Sequence, residues 1–188
     1  MKRILRSAAF WLLIAEALAV AALAAGPGLE ARRVPDTKGY VQQAMDFSWS
    51  GALGSYRTVG YPLLLRLVMR SPKDLAPLPF VHLAIFLAGV ALFWWGLARC
   101  TGRPWLALAG ALPLLGSRSL ELLTRIQPDM PAVGLALATV GLLLAFSAAP
   151  HNRLLAVALG ISLFATYQVR PAYLFLIVLV PLAAPVLR

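Results

Sequence analysis

Acidic side chains are scarce in this chain, with seven Asp and Glu against 17 Lys and Arg in 188 residues. Charge of either sign is scarce as well: 13% of residues are charged and 61% are hydrophobic. Soluble globular domains carry about a quarter charged residues, so the composition excludes an ordinary soluble domain and points to an integral membrane protein. Cysteine is limited to Cys100, which excludes an internal disulfide and a cysteine-built metal cluster. Cys100 lies close to Arg99 and Arg103, the setting of an inert interfacial thiol rather than of an activated one. No HExxH, P-loop, GxGxxG or Ser-His-Asp order is present. His82 lies inside the second expected span and His151 in a turn on the opposite face, a placement that argues against a metal pair. The net charge of +10 and pI near 10.9 come without an aromatic-basic nucleic-acid motif. The cations are dispersed through short loops between apolar runs, a pattern suited to anionic lipid headgroups or a phosphate-bearing ligand.

What the chain does have is long apolar runs. A helix needs about 20 mostly apolar residues to cross a bilayer. That criterion predicts an all-α, polytopic transmembrane bundle of about six spans, over residues 7–25, 78–98, 104–123, 130–149, 154–169 and 171–187. The first run follows Lys2, Arg3 and Arg6, and Ala22-Leu23-Ala24 has the look of a signal-peptidase site. Its length, together with Trp11 and Glu16 inside it, favours an uncleaved span over a secretory signal. Trp94-Trp95 reads as an interfacial pair closing the second span. Arg170-Pro171 interrupts the last apolar stretch, because proline disfavours helical geometry in the residue before it. No internal repeat or heptad pattern stands out.

Between the first two spans lies an outer loop, residues 26–77. Its Tyr61–Met69 segment is apolar but too short to cross, and contains Arg66. It reads as an interfacial helix with that arginine snorkelling. The basic residues of this loop offset those at the N-terminus, so the positive-inside rule leaves orientation open. Parity is firmer: the first loop, the 117–129 connection and the turn at Arg170 emerge on one side, and Cys100 and His151 on the other.

The polar residues gather on that shared side. Asp36 has two readings: a general base, were its pKa raised by partial burial, or the N-cap of a following helix. Arg57 stands before Gly60-Tyr61-Pro62, where the glycine frees the backbone and the proline starts a helix. It reads as a phosphate ligand through its planar fork of donors, or as an ordinary interfacial cation. Arg170 carries the same two readings. Glu121, Arg125 and Asp129 are spaced so that one helix would put them on one face. Glu16, inside the first span, is by its position either functional or neutralised there.

The combination of a first span, then Asp36, Gly39, Tyr40 and Ala44, then Arg57-Thr58, Gly60-Tyr61-Pro62, resembles the start of the GT-C-type glycosyltransferases. These are polytopic enzymes using polyprenyl-phosphate sugars, including the protein mannosyltransferase and aminoarabinose transferase-like group. The segment Thr124–Asp129 and Arg170-Pro171 look, more weakly, like the family's inter-helix segments. The resemblance covers the front half of such an enzyme. It implies a sugar transferred from a polyprenyl-phosphate donor at the outer face of the membrane, the inner (plasma) membrane in a bacterium. Asp36 would be the catalytic base and Arg57 and Arg170 the donor-phosphate ligands, with Tyr40, Tyr61, Glu121 and Asp129 in support. Many members show two adjacent acids where this chain has Asp36-Thr37, which weakens any case for a divalent metal; no cofactor is assigned. The expected partners are the lipid-linked donor, membrane lipid and an acceptor of unassigned class, with no nucleic acid. The alternatives are a truncated transferase without activity of its own and a non-catalytic accessory or transport protein for a lipid-linked substrate.

Overall fold

The computed structural model describes residues 7–25, 29–48 and 58–178. It is all-helical over them. Helix α1 is Ala8–Ala25, α2 Thr37–Met45, α3 Gly60–Val68, α4 Leu78–Thr101, α5 Pro104–Ala111, α6 Ser117–Thr124, α7 Asp129–Ser147 and α8 Arg153–Val169. A 3-10 turn, Leu112–Leu115, links α5 towards α6, and another, Pro171–Leu174, follows α8.

Among the described residues α4 and α7 are long and apolar enough to cross a membrane; α1, α8 and the α5 segment are apolar but shorter. The expected continuous span over 104–123 is therefore corrected to a broken one. Pro113 sits in the 3-10 turn and Gly116 is extended, with ψ 166°, so the ladder of α5 is not continued into α6. The expected span over 171–187 begins with the 3-10 turn, and its part beyond residue 178 lies outside the described residues. The break at Arg170 is present: its backbone is extended, at φ −151° and ψ 107°, as the following proline dictates.

The centre of the fold is the α4–α7 pair, and glycine makes it possible. A Cβ on Gly89 would stand 2.1 Å from the carbonyl oxygen of Gly134, and one on Gly96 would stand 1.9 Å from that of Gly141. The two helices touch backbone to backbone at both levels, the small-residue contact of membrane helices. The order of these contacts also makes α4 and α7 parallel. The chain must then return between them, and the broken α5–α6 segment does so: Leu123, near its end, accepts a hydrogen bond from His82 near the start of α4, at 3.2 Å.

Helix α8 runs antiparallel to α7 and is joined to it by buried hydroxyls. Thr139 Oγ1 lies 2.7 Å from Ser162 Oγ and 3.1 Å from Thr166 Oγ1. Asn152 caps α8, its side chain accepting from Leu155 N–H at 3.2 Å. On the other flank, Ala9 and Leu13 of α1 join Ala107, Leu108 and Ala111 of α5 in the apolar core. Trp94 belongs there too: it is buried and packs on Phe10 at 5.6 Å between ring centroids. The expected interfacial pair is thereby split, since Trp95 alone sits under a cation, Arg99, at 5.6 Å. The outer face of α8 is apolar and uncovered, with Leu154 80% and Phe164 65% exposed.

Candidate functional site at the polar end

Three tethers draw the loop elements onto one end of the bundle, where α4 and α7 start and α6 and α8 finish. In the first, Arg32 pairs with the strand-like residues after α6: its N–H donates to Thr124 O at 2.7 Å, and its carbonyl accepts from Ile126 N–H at 3.0 Å. Thr37 extends that seam. Its buried hydroxyl donates to Ile126 O at 2.9 Å and accepts from Val34 N–H at 2.8 Å. In the second, α3 lies across the end of α8. Gly60 is required there, because a Cβ would come within 2.5 Å of the Gln168 carbonyl carbon. In the third, Asp129 and Arg170 form an ion pair. Each end of that pair suits its helix terminus: Asp129 lies in the first turn of α7, and Arg170 is the C-cap of α8, where anions and cations respectively are favoured.

Asp36 occupies the N-cap position of α2, exposed, and its side chain makes no cap hydrogen bond. Its backbone is helical, at φ −75° and ψ −17°, whereas a capping residue adopts extended geometry to reach back to the helix. Thr37 takes over the local bonding instead. Tyr40 packs edge-on against Tyr61, ring centroids 5.1 Å apart. Arg57 lies outside the described residues. The expected interfacial segment at Tyr61 is the helix α3, which buries Tyr61, Pro62 and Leu65. Its Arg66 donates to Phe47 O at 3.2 Å and stands over the Phe47 ring.

Glu121, Arg125 and Asp129 do not share a helical face. Helix α6 ends at Thr124, Arg125 is extended at ψ 126°, and the next residues pair with Arg32. Glu121 and Arg125 form an exposed ion pair, while Asp129 turns to Arg170. Glu16 is exposed midway along α1. Cys100 lies at the opposite end of the bundle, with Ser147 Oγ 3.6 Å from its sulfur.

The sequence weighs His82 only as a metal ligand and assigns it no other role, yet it is fully buried beneath this end. Its Nδ1 faces the Leu123 carbonyl and its Nε2 faces the Tyr61 hydroxyl at 3.4 Å. A carbonyl only accepts, so in the neutral ring Nδ1 carries the proton and Nε2 receives the Tyr61 O–H. Burial holds the Tyr61 phenol well above its ordinary pKa, with Tyr40 and Asp129 adding to the shift. The available signal was a histidine inside an otherwise apolar run, since an unpaired polar group there would be costly.

Among the described residues no group of three or more His, Cys, Asp and Glu is arranged to hold a metal ion. Compared with known protein families, with curated proteins and with solved structures, the chain matches none.

Proposed function

We propose that the chain is a membrane glycosyltransferase of the GT-C type, or the N-terminal part of one. It moves a sugar from a polyprenyl-phosphate donor to an acceptor at the outer face of the plasma membrane, the inner membrane in a bacterium. The crossings are α1, α4, the broken α5–α6 segment, α7, α8 and the segment after Arg170, with residues 26–77 forming the outer loop. Support for the crossing role of the broken segment comes from the parallel α4 and α7, which require a return path. The exposed apolar face of α8 fits lipid.

In the reaction, Asp36 takes the proton of an acceptor hydroxyl. That oxygen bonds to the anomeric carbon as the bond from the carbon to the phosphate oxygen breaks. The lipid phosphate leaves with the electron pair, and Arg170, with Arg57, stabilises its charge, the point at which fixed cations contribute most. Tyr40 and Tyr61 act by positioning these groups, Asp129 holds Arg170 until the donor phosphate displaces it, and Glu121, held by Arg125, lies at the margin.

The observation that carries the reading is the convergence of the Asp36-bearing segment and the Asp129–Arg170 pair on one end of the bundle, through Thr37, Ile126 and Gly60. The test is sugar transfer from a synthetic polyprenyl-phosphate sugar by the full chain in detergent. Asp36→Asn removes general-base help worth about 10²–10⁴-fold and leaves donor binding and thermal stability unchanged. Transfer by that variant at the unmodified rate defeats the assignment of Asp36. Absence of both donor binding and transfer in the unmodified chain defeats the function.

A further inference from the structure

A concavity lies on the same end of the bundle, apart from Asp36, Asp129 and Arg170, none of which lines it. It is a cleft of about 530 Å³ between the segment ahead of α2 and the segment leading into α4. Its floor is Leu75, buried, and its mouth ends on Phe80, which lies in the first turn of α4 and is 52% exposed. Around the rim stand two cations, Arg33 and Lys73, and two acids, Glu30 and Asp74. Arg33 ties the two walls together, donating to Pro72 O at 2.9 Å. Among the described residues no ion pair joins these four charges to one another.

We propose that this cleft binds the headgroup of a zwitterionic phospholipid with a primary ammonium, of the ethanolamine type. The rim sums to zero net charge while presenting both signs, which matches a ligand carrying one phosphate and one ammonium. The cations take the phosphate. The carboxylates accept the ammonium N–H groups in charge-assisted hydrogen bonds; a quaternary headgroup has no N–H to donate, and a glycerol headgroup offers only neutral hydroxyls. Phe80 continues the cleft along the start of a helix long enough to cross the bilayer, an apolar surface for the acyl chain that follows the headgroup. The inference stands on this cleft alone and holds whether or not the chain transfers sugar.

The experiment is native mass spectrometry of the full chain released from micelles doped with phosphatidylethanolamine or phosphatidylglycerol of identical acyl chains. The unmodified chain retains phosphatidylethanolamine in preference. The Glu30→Gln/Asp74→Asn variant shifts the ratio about fivefold towards phosphatidylglycerol, the scale on which exposed charge pairs act. Lys73→Ala, exposed and outside any helix, weakens retention of both lipids. An unshifted ratio in the double variant, or equal retention of the two lipids by the unmodified chain, overturns the proposal.

Discussion

The hydroxyl of Thr37 and the carbonyl of Ile126 meet at 2.9 Å, and through that bond the segment bearing Asp36 is fastened to the connection between α6 and α7. Thr37 is 1% exposed, and its oxygen also satisfies Val34 N–H. Replacement by valine keeps the shape and strands both partners. Leaving a buried donor or acceptor unpaired costs about 1–3 kcal/mol. Thr37→Val is therefore expected to lower the unfolding temperature in detergent, while Thr37→Ser, which keeps the oxygen, restores most of the loss. Unchanged melting of the valine variant would show that the seam does not hold the loop.

The glycine contacts predict a sharp positional contrast. Gly96→Ala and Gly141→Ala each drive a methyl into main chain, at 1.9 Å from Gly141 O and 2.3 Å from Leu92 O respectively. Backbone cannot turn aside as a side chain does, so the helices must separate, at a cost of about 1–3 kcal/mol or more. Gly160→Ala meets nothing within 4 Å and gains up to about 1 kcal/mol of helix propensity. Thermal unfolding of the three variants side by side checks the ranking; equal effects at Gly96 and Gly160 would contradict the close α4–α7 approach.

Much of this architecture was readable from the chain, and the shortfalls have physical causes. Apolar run lengths located α1, α4, α7 and α8, because burial in lipid or core demands the same side chains along the whole helix. They failed over 104–123, where composition is continuous but Pro113 and Gly116 break the ladder. The Gly89–Gly96 and Gly134–Gly141 spacings escaped notice because two glycines seven residues apart leave no contrast in an all-apolar helix. Grouping Glu121, Arg125 and Asp129 on one helix assumed a continuous helix, and the backbone pairing of Arg32 with Thr124 and Ile126 pre-empts it. The Asp129–Arg170 contact depends on the antiparallel register of α7 and α8, which the Thr139, Ser162 and Thr166 hydroxyls fix and which no local pattern encodes.

The Asp129–Arg170 pair is only partly screened from water, with side chains 31% and 40% exposed. Its coupling is accordingly expected to be small, about 0.2–1 kcal/mol in a double-mutant cycle of Asp129→Asn and Arg170→Gln. Its larger effect is positional: Asp129→Asn releases the Arg170 guanidinium. Binding of a polyprenyl phosphate to that variant should tighten severalfold, read by displacement of a fluorescent lipid phosphate. Weaker binding would mean that Asp129 orients Arg170 for the ligand rather than competing with it.

Tyr61 links pH to stability with a definite sign. Its phenol is held above the ordinary range first by burial, then by Tyr40 and Asp129. Below pH of about 10 the phenol is protonated in folded and unfolded chains alike, and the shift has no effect. Above that pH the unfolded chain releases the proton and the folded chain keeps it. The folded state then binds more protons, and stability falls as pH rises. Tyr61→Phe removes this term, although it also leaves His82 Nε2 without the phenol proton 3.4 Å away, which lowers stability at every pH. Unfolding in detergent from pH 9 to 11 is therefore expected to start lower for Tyr61→Phe and to decline less steeply than for the unmodified chain. Parallel declines would show that Tyr61 ionises freely in the folded protein, which its complete burial against Tyr40 and His82 does not allow.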